Sequence, residues 1–155
     1  MTVTGDERVE RITELVKRVV DALGLQAKVD VCDDGETITA TVQGEALGLF
    51  IGHHGQTIDA VQHLATRIAG ADHEAEHRRV VVDAAGYRAR RQEALVAQAE
   101  DAADEALRFR RPVALDAMTA SERKLVHDHL RERDDVETHS EGDEPERHLV
   151  ITPRP

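Results

Sequence analysis

From Arg8 to Leu23 the apolar residues Val9, Ile12, Val16, Val19, Val20 and Leu23 recur at spacings of mostly three and four. That period predicts an amphipathic helix, and Gly24 stands where a helix stop belongs. The pattern then changes to alternation. Ala27 to Cys32 and Thr37 to Val42 read as two strands, and Asp33-Asp34-Gly35 between them suits a tight reversal. Ala46 to Ile51 is short and apolar, Gly52-His53-His54-Gly55 interrupts it, and Thr57 to Ala69 resumes helical spacing through Ile58, Val61, Leu64, Ala65 and Ile68. Arg78 to Asp83, with three consecutive valines, reads as a buried strand. The first unit is therefore α-β-β-α-α-β.

A long helix is predicted from Tyr87 to Arg108, with Leu95, Val96, Ala99, Ala103 and Leu107 along one side and Pro112 at or just beyond its end. Val113 to Leu115 suits a short strand. Ala120 to Arg131 reads as a helix started by a Thr119 or Ser121 cap. Val136 to His139 and Arg147 to Ile151 close the chain as a hairpin around the polar turn from Ser140 to Pro145. The expected class is α+β, with domains at 1–85 and 86–155.

Composition narrows the chemistry. The 155 residues are 40% hydrophobic and 33% charged, which supports a folded core, yet Phe50, Tyr87 and Phe109 are the sole aromatics. A broad base-stacking platform is thereby excluded. Cys32 is the one cysteine, so neither an intramolecular disulfide nor a cysteine-based zinc cluster can form. We expect it to be packed within its strand rather than reactive. The N-terminus has no signal-peptide pattern and no stretch is apolar enough for a membrane span, so a cytoplasmic protein is expected. The net charge of -11 argues against wrapping long nucleic acid. Arginines nevertheless cluster, at 78/79, 88/90/91, 108/110/111 and 131/133.

Two short motifs carry candidate chemistry. Gly52 and Gly55 lie three apart in a loop that opens a helix, where glycine permits close backbone approach and free N–H groups favour an anion. A tight helix–helix turn would also need them. Arg123 and His127 stand four apart on one predicted helix, which suits either a small anion site or an ordinary solvated pair. His53 and His54, or His73 and His77, are weaker metal candidates, and no nucleophile motif or strand-borne carboxylate cluster points to an enzyme.

Ile51-Gly52-His53-His54-Gly55-Gln56-Thr57-Ile58-Asp59-Ala60-Val61-Gln62 resembles the GxxG segment of type II KH domains, whose α-β-β-α-α-β order also matches. Met118 to His127, followed by Thr138 to Arg147, looks like an R-three-H domain, named for its Arg-x-x-x-His. A type II KH domain joined through a long helix to a small α/β R-three-H domain is similar to the Jag family of bacterial RNA-binding proteins, also called KhpB or EloR.

That resemblance implies single-stranded RNA as partner, with single-stranded DNA possible, in post-transcriptional or cell-envelope-linked regulation. It implies no cofactor, no metal and no membrane insertion. Gly52, His53, His54, Gly55 and Thr57 would contact the backbone, and Ile51, Ile58 and the adjoining strand would line a groove for bases. Arg123, His127 and Arg147 would contact RNA from the second module. Two departures stand out. His53 and His54 occupy positions where relatives carry Lys or Arg, so affinity should rise as pH falls from about 7.5 to 6, since histidine ordinarily titrates near pH ~6.5. The separate N-terminal Jag domain of many relatives is also expected to be lacking. The alternative function is a module that pairs with a small stand-alone KH protein or with itself, binding RNA only in the complex.

Overall fold

The computed structural model describes residues 5–70 and 78–155, so His73 and His77 lie outside the described residues. The chain divides into two compact units, Met1–Arg88 and Ala89–Pro155. Each has its own core, and the class is α+β.

In the first unit the order is α1 (Gly5–Ala22), β1 (Ala27–Asp33), β2 (Thr37–Gly44), α2 (Gly48–Ile51), α3 (Gln56–Gly70) and β3 (Arg79–Ala84). Strand β2 is central. It runs antiparallel to β1 with Val31 opposite Ala40, and parallel to β3 with Ala40 opposite Val82. A parallel neighbour requires a crossover, which α2 and α3 supply. Alternation along β2 sends Ile38, Ala40 and Val42 into the core, where they meet Ile12 and Val16 of α1 and Ile58, Val61 and Ala65 of α3. Phe50 from α2 is the one fully buried aromatic there. Removing such a ring generally costs about 3–5 kcal/mol, which is large beside the ~5–15 kcal/mol that holds a domain together.

The short helix before the glycine loop is present as expected, and two other expectations for this unit need correcting. Helix α2 is a single turn, because Ala46 takes a left-handed φ of 54° and Leu47 serves as N-cap. Cys32 is exposed rather than packed: β1 turns Val29 and Val31 toward the core, so Lys28, Asp30 and Cys32 alternate to the other face. Ile58 is fully buried and cannot present its side chain to a base.

The second unit contains most of α4 (Tyr87–Phe109), then β4 (Val113–Ala114), α5 (Ala120–Leu130), β5 (Val136–Glu141) and β6 (His148–Pro153). The sheet order is β4-β6-β5, with both pairs antiparallel. Leu95, Ala99, Ala102, Ala103 and Ala106 of α4 pack with Val126 and Leu130 of α5 and with Val136, Leu149 and Ile151 of the sheet. The buried stripe of α4 thus runs through small alanines, while Val96 and Leu107 of the expected stripe stay half-buried. Among the described residues no helix is long and apolar enough to cross a membrane.

Candidate nucleic-acid interface

The Gly52–Gly55 loop is built by backbone geometry. Gly52 ends α2, its N–H donating to the Gly48 carbonyl at 2.8 Å, and its φ of 75° is left-handed. A methyl group there would collide with the Thr57 hydroxyl and come within 2.8 Å of the Thr57 nitrogen. Gly55, also left-handed at 83°, has the Tyr87 hydroxyl 2.9 Å from where its Cβ would stand. Both left-handed φ values disfavour a side chain, and at Gly52 the obstruction includes backbone, whereas at Gly55 it is the end of the Tyr87 side chain.

Between them, His53 and His54 project into solvent with their rings stacked, centroids 3.9 Å apart. His54 takes φ 51° and ψ 27°, a conformation histidine tolerates better than most side chains. His53 to Gly55 form a single tight turn in which the Gly55 and Gln56 N–H groups donate to the Gly52 and His53 carbonyls, and helix α3 follows at once from Gln56. The result is a tight corner with two exposed histidines between a half-buried Gly52 and a buried Gly55, set at a helix start, which carries partial positive charge.

The surroundings of this corner are ordered by polar contacts. Arg88 donates from Nη1 to Asp59 in the first turn of α3 at 2.8 Å and from Nε to the Val82 carbonyl, also at 2.8 Å. Gln62 accepts the Val82 N–H at 2.9 Å, covering the edge of β3 at that point. The strand backbone is therefore closed to a base at Val82. Ile51 is half-buried against the core and Thr57 is half-exposed behind the loop.

In the second unit, Thr119 caps α5 in a reciprocal box: its N–H donates to Glu122 at 3.0 Å, and its hydroxyl accepts from the Glu122 N–H at 3.4 Å. Glu122 also accepts from Arg91 Nε at 2.9 Å. One residue on, the Arg123 side chain is only 10% exposed. It donates to the Met118 carbonyl at 2.7 Å and to the Glu144 carboxylate at 2.6 Å. Arg147, just before β6, donates to the Gly142 carbonyl at 2.6 Å. Both arginines thus brace the β5–β6 turn; Arg123 is buried in doing so, whereas Arg147 stays half-exposed.

His127, one turn beyond Arg123, has Nδ1 in hydrogen-bond contact with the Thr138 hydroxyl. It opens on a cleft of about 260 Å³, lined also by Leu130, Arg131, Val136, Glu137, Thr138 and Arg154. Arg131 is 3.8 Å from Asp128, a loose pairing, and its side chain is 69% exposed. The cleft lining thus includes two arginines and a histidine together with one acidic residue, Glu137. Arg131 carried a sequence signal only as part of an arginine pair, and Arg154 lay beyond the motif, so sequence reasoning missed both.

Two other clustered arginines, Arg78 and Arg133, are engaged internally. Arg78 pairs with Asp33. Arg133 is held by Glu100, Asp104 and Asp135, which pushes the already high guanidinium pKa up further. The same contact, with His129, holds the Glu100 carboxyl below its usual range. No cluster of three or more His, Cys, Asp or Glu is placed to hold a metal ion among the described residues.

Comparison with known proteins decides the family. Residues 9–83 match the family model for the KhpA/KhpB KH domain, and residues 93–153 match that of the R-three-H domain. A protein of Bacillus subtilis named RNA-binding protein KhpB is 33% identical over 139 residues, covering 88% of this chain and 66% of that protein. The chain belongs to the KhpB family. Relatives of the same name from Clostridium symbiosum and Lactiplantibacillus plantarum are 32% and 38% identical, over 92% and 97% of this chain and 65% and 46% of their own lengths. The chain therefore spans about half to two-thirds of the KhpB proteins it matches. In KhpB terms, the glycine corner lies in the KH match and the His127 cleft in the R-three-H match.

Proposed function

We propose that this chain binds single-stranded RNA, gripping the sugar-phosphate backbone at Gly52, His53, His54, Gly55 and Thr57 and a further phosphate at the His127 cleft. The observation that carries the reading is the glycine corner: two glycines with left-handed φ that disfavour a side chain, two exposed histidines between them, and a helix start directly behind. That arrangement suits an anionic chain approached through backbone N–H groups. Ile51 offers the half-buried apolar edge for a base, and single-stranded DNA would fit the same phosphate contacts.

On the second unit the phosphate contact is His127 with Arg131 and Arg154. Arg123 and Arg147 act behind it, by holding the turn that carries Glu144. The role is binding rather than catalysis, in the cytoplasm, within post-transcriptional or cell-envelope-linked regulation. Incubation of labelled RNA with the protein, with and without divalent metal, should leave the RNA uncut.

The test is fluorescence anisotropy with a labelled oligouridine of roughly 12 nucleotides, within the range that such modules cover. His53→Asp with His54→Asp places two carboxylates against the phosphates. Both side chains are exposed and Asp tolerates the left-handed conformation of His54, so folding should be kept. Binding should weaken at least about tenfold, since like charges at close range cost more than ~1.4 kcal/mol in a partly desolvated contact. Equal binding by the variant would overturn the reading.

A second reading, pairing with another KH protein or a second copy, is favoured by one feature. Leu64 on α3 is half-exposed, and Ile68 of the same helix lines, with Leu15, a cleft of about 360 Å³. Leu64→Glu should leave RNA binding intact if the chain binds alone, and abolish it if only a complex binds.

A further inference from the structure

Helix α4 ends in Arg108-Phe109-Arg110-Arg111, and this tip combines features that packing does not explain. Phe109 is 56% exposed, although the whole chain has only two phenylalanines and the other is fully buried. The Arg108 guanidinium lies 5.3 Å from the centre of its ring and that of Arg111 lies 5.8 Å away. Arg111 also pairs with Glu105 at 2.8 Å, both side chains largely open to solvent.

Arg110 is the telling residue. The Arg111 N–H donates back to the Ala106 carbonyl at 3.2 Å, the six-residue closure that ends many helices, and Arg110 takes the left-handed position within it at φ 50°. Glycine is favoured there because a side chain is strained. The chain instead carries an exposed arginine, whose guanidinium has no hydrogen bond or ion pair among the described residues. Arg108 has a structural explanation, since a cation near a helix C-terminus is favourable. Arg110 and the exposed ring have none.

We infer that this tip is a separate RNA contact, in which an unpaired base packs on Phe109 and the Arg108 guanidinium plane while Arg110 takes the flanking phosphate. The inference rests on the RNA-binding reading above, but uses no residue of the glycine corner or of the His127 cleft. RNA is the occupant that fits both parts: a planar base matches ring and guanidinium faces, and a phosphate matches the free cation. Three arginines within four residues, on a chain of net charge -11, make the tip a local site for a polyanion. One exposed ring matches one base, consistent with the absence of a broad stacking surface.

The chain has no tryptophan, so Phe109→Trp introduces a single fluorescent reporter at the proposed contact. Oligouridine should quench it, while an abasic oligoribose-phosphate of equal length, an acidic peptide and anionic phosphatidylglycerol vesicles should not. Phe109→Ala should weaken oligouridine binding about 5- to 20-fold, in the range of one lost base stack. Arg110→Gly should weaken it at least about threefold and reduce the slope of log affinity on log salt by about 0.7. The same substitution should leave the thermal midpoint equal or higher, because it relieves the left-handed strain; a purely structural Arg110 would show no affinity change.

If labelled oligouridine binds wild type, Phe109→Ala and Arg110→Gly alike, this inference fails and the RNA-binding reading stands. The inference also fails if the tryptophan responds equally to the abasic strand, the peptide or the vesicles. If wild type binds no RNA at all, both fall.

Discussion

Arg123→Ala should unfold the second unit more readily before it affects any ligand. The guanidinium is buried and makes two contacts: the Met118 carbonyl at 2.7 Å and the Glu144 carboxylate at 2.6 Å. A hydrogen bond from a charged donor contributes roughly 1.5–3 kcal/mol. Glu144 is 58% exposed, so its ion pair is screened and adds about 0–1 kcal/mol. Together these bound the loss at about 1.5–4 kcal/mol, centred near 2–3 kcal/mol. In a domain of this size each kcal/mol moves the midpoint by roughly 4–8 °C, so thermal unfolding followed by circular dichroism should shift down by about 10–20 °C. Arg123→Lys, which cannot span both partners with one ammonium group, should fall between. If Arg123→Ala kept the parent midpoint while RNA affinity collapsed, the guanidinium would belong to the ligand and the bracing role would be wrong.

Gly52→Ala should lose stability by more than about 1 kcal/mol and weaken RNA binding, because its methyl meets Thr57 and its φ of 75° is left-handed; urea titration with parallel anisotropy checks both effects. Glu100 gives a stability signature in acid. Its carboxyl is lowered in the folded state by Arg133 and His129, so its contribution is complete above the ordinary glutamate value of 4.5 and is lost as pH falls through the lower folded value. Glu100→Gln should therefore reduce the loss of stability below about pH 4.5, as measured by urea midpoints across that range.

Much of this was legible in the chain because each local signal agreed with its neighbours. Alternation in β2 and the three-and-four spacing in α1 placed the first core, and Thr119, one of two cap candidates, marked the start of α5. What was not legible depended on tertiary contact. A spacing of four put Arg123 and His127 on one helix, but nothing local reveals that the β5–β6 turn folds back to present Glu144 to Arg123. Likewise Arg154, close to the chain end, reaches the His127 cleft only because β6 pairs beside β5. Ile58 read as a groove residue because its motif position drew attention from its helical phase, which turns it into the core.

The central claim is that the glycine corner meets the RNA backbone. Amide chemical-shift mapping of the whole chain during titration with single-stranded RNA tests it residue by residue. The account predicts the largest changes at the N–H groups of Gly52 to Thr57, with a further set at His127 and its cleft. Saturable RNA binding that leaves the Gly52–Thr57 amides unmoved would contradict it.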